Sequence, residues 1–124
     1  MTIEIKRIYE PAARTDGVRV LVDRLWPRGI KKDEARIDLW LKHVAPTASL
    51  RRWFDHRPER WDRFRERYRA ELSSNPTLVE LRDLVKTQTR VTLLYSARDV
   101  DHNQAVVLAE HLKPSRRKPA RGRA

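Results

Sequence analysis

The sequence predicts a small three-layer α/β domain, with a short, mostly parallel sheet flanked by helices. Three features point there. Two hydrophobic runs, "VRVLV" at 18–22 and "RVTLLYS" at 90–96, each lead into a tight polar loop. β-branched runs without polar alternation are what strands look like when both sheet faces are covered. Amphipathic helical segments fill the space between and after them, and strand, polar loop and helix together make the half-unit of such folds. The 124 residues, 40% hydrophobic, are one domain's worth, enough to bury roughly two-thirds of the unfolded surface.

Taken in order, "IEIKRIY" (3–9) places Ile3, Ile5 and Ile8 in a strand pattern, and Pro11 and Gly17 break the loop "EPAARTDG". The strand at 18–22 follows. Pro27 pushes Trp26 out of the helical region, and Gly29 admits unusual backbone angles. "IDLWLKHV" (37–44) fits both alternation and helical spacing, and extended structure is the expectation because Pro46 and Thr47 open the next element. Thr47 can N-cap "ASLRRWF". A longer helix starts at Pro58 and carries the stripe Trp61, Phe64, Tyr68 and Leu72. Asn75 and Pro76 form the cap and first turn of a helix with Leu78, Leu81, Leu84 and Val85 on its apolar face. After the strand at 90–96, a last helix is expected to begin near Asp101 and to carry Ala105, Val106, Leu108, Ala109 and Leu112.

Residues 1–112 are expected to form the domain and 113–124 a basic, disordered tail, because "KPSRRKPARGRA" has no apolar face. That tail holds six of the 28 basic residues and no acid, so the remainder carries only +5 of the total +11. The absence of cysteine excludes disulfides, thiolate catalysis and Cys-type zinc sites. The four histidines show no i, i+4 pairing, so no metal site is expected. With three glycines and no Gly-rich phosphate loop, no cofactor is expected either. No apolar run reaches the roughly 18 residues of a membrane span, and "MTIEIKRIYE" lacks a signal-peptide apolar block. A cytoplasmic location is the expectation.

The segments "VLVDRLWPRG" and "LLYSARDVDHNQAVVLAEHL", with "WLKHVAPT" and "LRRWFDHRPERWDRFRERY" between them, resemble the YeaO-like family, domain-of-unknown-function family number 488. The resemblance runs from residue 3 to about 112, in order and without large gaps, and "DRLWPRG" is a specific string. It implies a small bacterial, cytosolic α/β domain and brings no established activity. Sequences more distantly similar to the last motif carry a Cys-His-Arg triplet; the corresponding stretch here reads Asp101-His102-Asn103, so no thiol role is carried over. Arg57 stands where an acidic or small helix cap is more usual.

If the strands at 18–22 and 91–95 are parallel neighbours, their polar loops leave one sheet edge, where open α/β sheets bind ligands. Arg24, Arg28 and Arg98 would converge there with Ser96 and the amides opening the last helix, a donor set suited to phosphate or carboxylate. Asp23 and Asp99 would orient the arginines. Trp26 is either a stacking platform or a plug under the sheet, and Asn103 joins the candidate ligand contacts. His102, the one side chain in the two loops that titrates near neutrality, is the candidate proton carrier. Each has a plainer alternative: structural ion pairs for Asp23, Arg24, Arg98 and Asp99, and an N-cap for Asp101, whose carboxylate would occupy the amides offered to the anion.

The other charged feature is an Arg-rich stretch at 51–69. Spacing predicts ion pairs Glu59–Arg63, Asp62–Arg65 and Arg67–Glu71 along it, as on a solvated face. Together with the tail it is the basis of an alternative function, weak nucleic-acid binding through phosphate contacts. The leading expectation is a ligand-binding protein or enzyme for a small anionic molecule.

Overall fold

The structure is a computed structural model that describes residues 2–113. The expected basic tail, beyond Lys113, lies outside those residues. Four strands, β1 (Thr2–Arg7), β2 (Val18–Leu21), β3 (Leu39–Trp40) and β4 (Arg90–Tyr95), form one sheet in the order β1-β4-β2-β3. All three pairings are parallel. β2 and β4 are therefore neighbours, with Val20 opposite Leu93 and Leu21 opposite Leu94. Both polar loops leave the same carboxyl edge.

The strands alternate between two cores, as a period of two requires. Val20, Val22, Val91, Leu93 and Tyr95 face one way, while Leu21 and Leu94 face the other. Against the first face pack α2 (Ala48–Phe54), α3 (Trp61–Leu72), α4 (Pro76–Thr87) and α5 (Gln104–Leu112), through such residues as Phe54, Phe64, Leu81 and Leu108. The predicted stripe on α3 is the one buried, with Phe64, Tyr68 and Leu72 almost fully enclosed. The second face carries a thinner layer than predicted. It is built from Trp26, Ile30 and Ile37 around the single-turn α1 (Lys32–Ala35) rather than from a full helix.

Capping follows the expected chemistry at two helices. The Thr47 hydroxyl accepts from the Leu50 amide, and the Asn75 side chain accepts from Thr77 with Pro76 in the first turn. Arg57 supplies no side-chain cap, and the chain enters α3 through a short 3-10 turn at Pro58–Arg60 instead. Residues 37–44 are extended only at β3; Lys42–Val44 then coil into a 3-10 turn. The last helix begins two residues later than expected from an Asp101 cap. Asn103 is its N-cap, accepting from the Ala105 and Val106 amides, and Asp101 is exposed. Among the described residues, the ion pairs expected within α3 are replaced by Arg65 and Arg69 converging on Glu110 of α5 at 3.0 and 3.2 Å.

An ion-pair network lies under the amino-terminal side of β2. Asp16, 7% exposed, receives Lys6 at 3.1 Å and Arg19 at 2.5 Å. Arg19 also donates to the Ala35 and Arg36 carbonyls, so this buried guanidinium is fully engaged. Burial alone would raise the Asp16 pKa; the Ala13 amide, Lys6 and Arg19 outweigh it and hold the carboxyl below its usual value. Gly17 adopts φ 66°, and a Cβ there would sit 2.2 Å from the Arg90 carbonyl oxygen. Only glycine lets the chain turn into β2 so close to β4.

Candidate functional site: an arginine-lined cleft at the carboxyl edge

The exits of three parallel strands enclose a cleft of about 1040 Å³. Arg7 and Tyr9 come from the end of β1, residues 23–28 from the end of β2, and residues 96–99 from the end of β4. Ala45 and Pro46, Arg51 and His56 close it from the helical side, with Gln104 from the first turn of α5.

Hydrogen bonds stitch these loops together. Arg7 donates to the Ser96 and Ala97 carbonyls, each at 2.9 Å, fixing the β1 exit to the β4 exit. The Tyr9 hydroxyl donates to the Arg28 carbonyl at 2.7 Å, tying the β1 and β2 exits. Arg24 donates to the Ala45 and Pro46 carbonyls, both at 3.1 Å. Two of its donors thus hold the segment before α2. The Trp26 indole donates to the Ile30 carbonyl at 2.8 Å and packs edge-on against Trp40 at 5.4 Å, so the ring is a wall of the second core as well as of the cleft.

Asp23 sits at the cleft with only 8% exposure. Gln104 donates to its carboxylate at 2.6 Å, and the Trp40 indole donates to its carbonyl at 2.7 Å. Desolvation raises the Asp23 pKa above the ordinary value; hydrogen bonds from Ser96 and Gln104 and the charge of Arg51 pull against that rise without cancelling it.

Five arginines line the cleft: Arg7, Arg24, Arg28, Arg51 and Arg98. Among the described residues none of them reaches a carboxylate within 4.0 Å, although Lys6, Arg19, Arg57, Arg65 and Arg69 all do. The Arg51 Nε is in addition buried without a hydrogen-bond partner. Arg28 and Arg98 are exposed at the rim. Among the described residues the cleft sets five arginines against two acids, Asp23 and Asp99.

His102 and Asn103 lie beside the cleft rather than in it. They line a second hollow of about 280 Å³ with Phe54 and Phe64, and Pro46, Arg51, His56, Ala97 and Gln104 border both spaces. The His102 Nδ1 lies 2.9 Å from an Asp99 oxygen, and its ring stands edge-on to Trp61 at 5.1 Å. The other Asp99 oxygen accepts from the Asp101 and His102 amides at 3.0 and 3.1 Å, and the His102 hydrogen bond leads the causes that lower the Asp99 pKa. The Asn103 side chain caps α5 and donates to the Asp99 carbonyl at 2.9 Å, which occupies the helix amides proposed for an anion.

Of the sequence-based candidates, then, Asp23, Arg24, Trp26, Arg28, Ser96, Arg98 and Asp99 share one cleft, while His102 and Asn103 adjoin it. Sequence reasoning missed Arg7, Tyr9, Arg51, His56 and Gln104. Arg7 and Tyr9 were accessible by the rule that found the other loops, since β1 is also a parallel strand ending at this edge. Arg51 was hidden in an Arg-rich stretch that reads as solvated surface.

These features define a small parallel α/β domain with a basic cleft at the strand exits. A family model named DUF488-N3i, "Inactive DUF488-N3 subclade", matches residues 2–122. The chain is 46% identical over 114 residues to "Uncharacterized protein YeaO" of Escherichia coli K12, covering 91% of this chain and 98% of that protein. It is also 46% identical over 110 residues to "Uncharacterized protein Rv3073c" of Mycobacterium tuberculosis H37Rv, covering 89% and 92% of the two chains. The chain belongs to the YeaO-like DUF488 family. No solved structure matches it.

Proposed function

We propose that the protein binds a small anionic molecule, bearing phosphate or carboxylate, in the cleft at the carboxyl edge of the sheet. The observation that carries this is the set of five cleft arginines without a carboxylate partner among the described residues. Guanidinium forks recognise planar or tetrahedral oxyanions, and arginines not committed to acids are available to an incoming ligand. Arg51, Arg98 and Arg28 are the gripping groups. Arg24 and Arg7 build the walls, because their donors already hold backbone carbonyls. Asp23, held by Gln104, balances part of the charge and orients the site.

Binding is favoured over catalysis. The matching family model describes its members as inactive, and His102 is flanked here by Asp101 and Asn103, the latter committed to capping. Any proton transfer would fall to His102, whose Nδ1 is held by Asp99.

The test is a thermal-shift screen of the full chain against phosphates, nucleotides and organic acids at physiological salt. Wild type would be compared with Arg51→Ala and Arg98→Ala. A ligand that raises the melting temperature of wild type and not of the variants supports the site. No shift in wild type with any of these ligands rejects it.

A second reading rests on Arg52, Arg63 and Arg67, which are exposed on α2 and α3 and reach no carboxylate among the described residues. Such a face supports weak contact with nucleic-acid phosphates, with affinity falling steeply as salt rises. Trp53 is not an open stacking platform, because Arg60 and Arg67 cover its ring at 5.2 and 4.5 Å.

A further inference from the structure

The second hollow shares much of its border with the cleft but adds aromatic walls that the cleft does not have there. Two buried phenyl rings, Phe54 and Phe64, stacked at 4.4 Å, form one wall. The His102 ring forms another, set by Asp99 at 2.9 Å and by Trp61 at 5.1 Å. These contacts fix the wall at a definite angle instead of leaving a mobile side chain to fill the space. The hollow measures about 280 Å³. An apolar cavity of about 150 Å³ already accepts a benzene ring, so one substituted ring fits.

The seam between the two spaces is built deliberately. α2 ends in two successive residues in the left-handed region, Asp55 at φ 48° and His56 at φ 52°. Neither is glycine, and this conformation is strained for a residue with a Cβ. This turn carries His56 to the border of both spaces, which Ala97, the smallest side chain on the shared edge, also lines. Arg51 stands on the same border with its Nε unpartnered. An acid group held by Arg51 would therefore have its substituent within reach of an aromatic-walled hollow.

We infer that the ligand is an organic acid carrying a single aromatic ring, its acid group in the arginine cleft and its ring between Phe54, Phe64 and His102. The inference rests on the anion-binding proposal and adds the part of the ligand that arginines cannot select. Flat rings stack on or stand edge-on to phenyl and imidazole faces, and burying a ring adds affinity that an inorganic anion lacks.

Calorimetric titration of the full chain with two matched pairs tests it: phenyl phosphate against inorganic phosphate, and 3-phenylpropionate against acetate. Each aryl acid is expected to bind at least about tenfold tighter than its partner. Arg51→Ala should weaken all four probes, and Phe64→Leu should reduce only the aryl advantage. In case Phe64→Leu does not fold, nuclear Overhauser contacts on wild type locate the ring directly, from aryl protons to Phe54, Phe64 and His102. If phosphate and acetate bind in an Arg51-dependent way and the aryl group adds nothing, the aromatic subsite is refuted and the anion site stands. Contacts from the aryl protons to Tyr9 and Trp26 instead would also refute the subsite. If no probe binds wild type, the anion site falls and the subsite with it.

Discussion

Two buried aspartates show how one residue type serves opposite ends. Asp16 is surrounded by donors that lower its pKa, so its ionised form stabilises the fold. That contribution is present above the unfolded carboxyl value and is lost as pH falls through the lower folded value. Asp16→Asn strands the buried Arg19 guanidinium and should cost about 3–5 kcal/mol, measured by chemical denaturation. Asp23 is the reverse. Its folded pKa is raised by desolvation, so the native state holds its proton longer than the unfolded chain. Wild-type stability should fall as pH rises from the unfolded value through the folded one. Asp23→Asn should raise the melting temperature by a few degrees at pH above the folded value and flatten that part of the pH profile. The cleft location of Asp23 was legible as the first polar residue after "VLV". The buried network of Asp16 and Arg19 was not, because an arginine inside a β-branched run gives no sign of which buried acid will meet it.

Helix starts and turns decide where the cleft residues stand. Asn103 binds two amides of α5 and the Asp99 carbonyl, so Asn103→Ala should cost about 1–2 kcal/mol. Asp101→Ala should stay within about 0.5 kcal/mol, as at an exposed position with no cap to lose. Comparing the two by urea denaturation checks the cap directly. Gly17→Ala drives a Cβ against the Arg90 carbonyl and should be among the most damaging substitutions, while Gly29→Ala meets no neighbouring atom and carries only the φ strain, about 1 kcal/mol. Element types were largely legible: the caps at Thr47 and Asn75, the α3 stripe and the strands β1, β2 and β4 read from residue type and spacing, whereas residues 37–44 fitted both strand and helix spacing. The start of α5 was misplaced because "DVDHN" offers three cap-forming side chains within five residues, and the last of them, Asn103, is the cap. β3 shrank to two residues because pairing with β2 ends where the chain coils at Lys42.

At the scale of the whole molecule, the adjacency of β2 and β4 is what brings two separate polar motifs to one edge. Sequence pattern suggested that adjacency but could not fix it, since strand order depends on which helices pack where. The same order brings β1 beside β4, and so adds Arg7 and Tyr9, which no local motif singled out. Among the described residues no helix is long and apolar enough to cross a membrane. Among the described residues, the arginines without a carboxylate within 4.0 Å include those of the cleft and the exposed Arg52, Arg63 and Arg67 on an outer face of α2 and α3. Binding in the cleft should persist as salt rises through the physiological range, whereas contact through the outer face should weaken several-fold. The most direct measurement follows the arginine side-chain Nε–H and backbone amide resonances during titration with phosphate and aryl phosphate at physiological salt. Saturable, one-to-one shifts confined to Arg28, Arg51, Arg98 and the loops at 23–28 and 96–99 are expected. Linear, unsaturated shifts centred on Arg52, Arg63 and Arg67, with the cleft unmoved, would contradict an anion site at the strand exits.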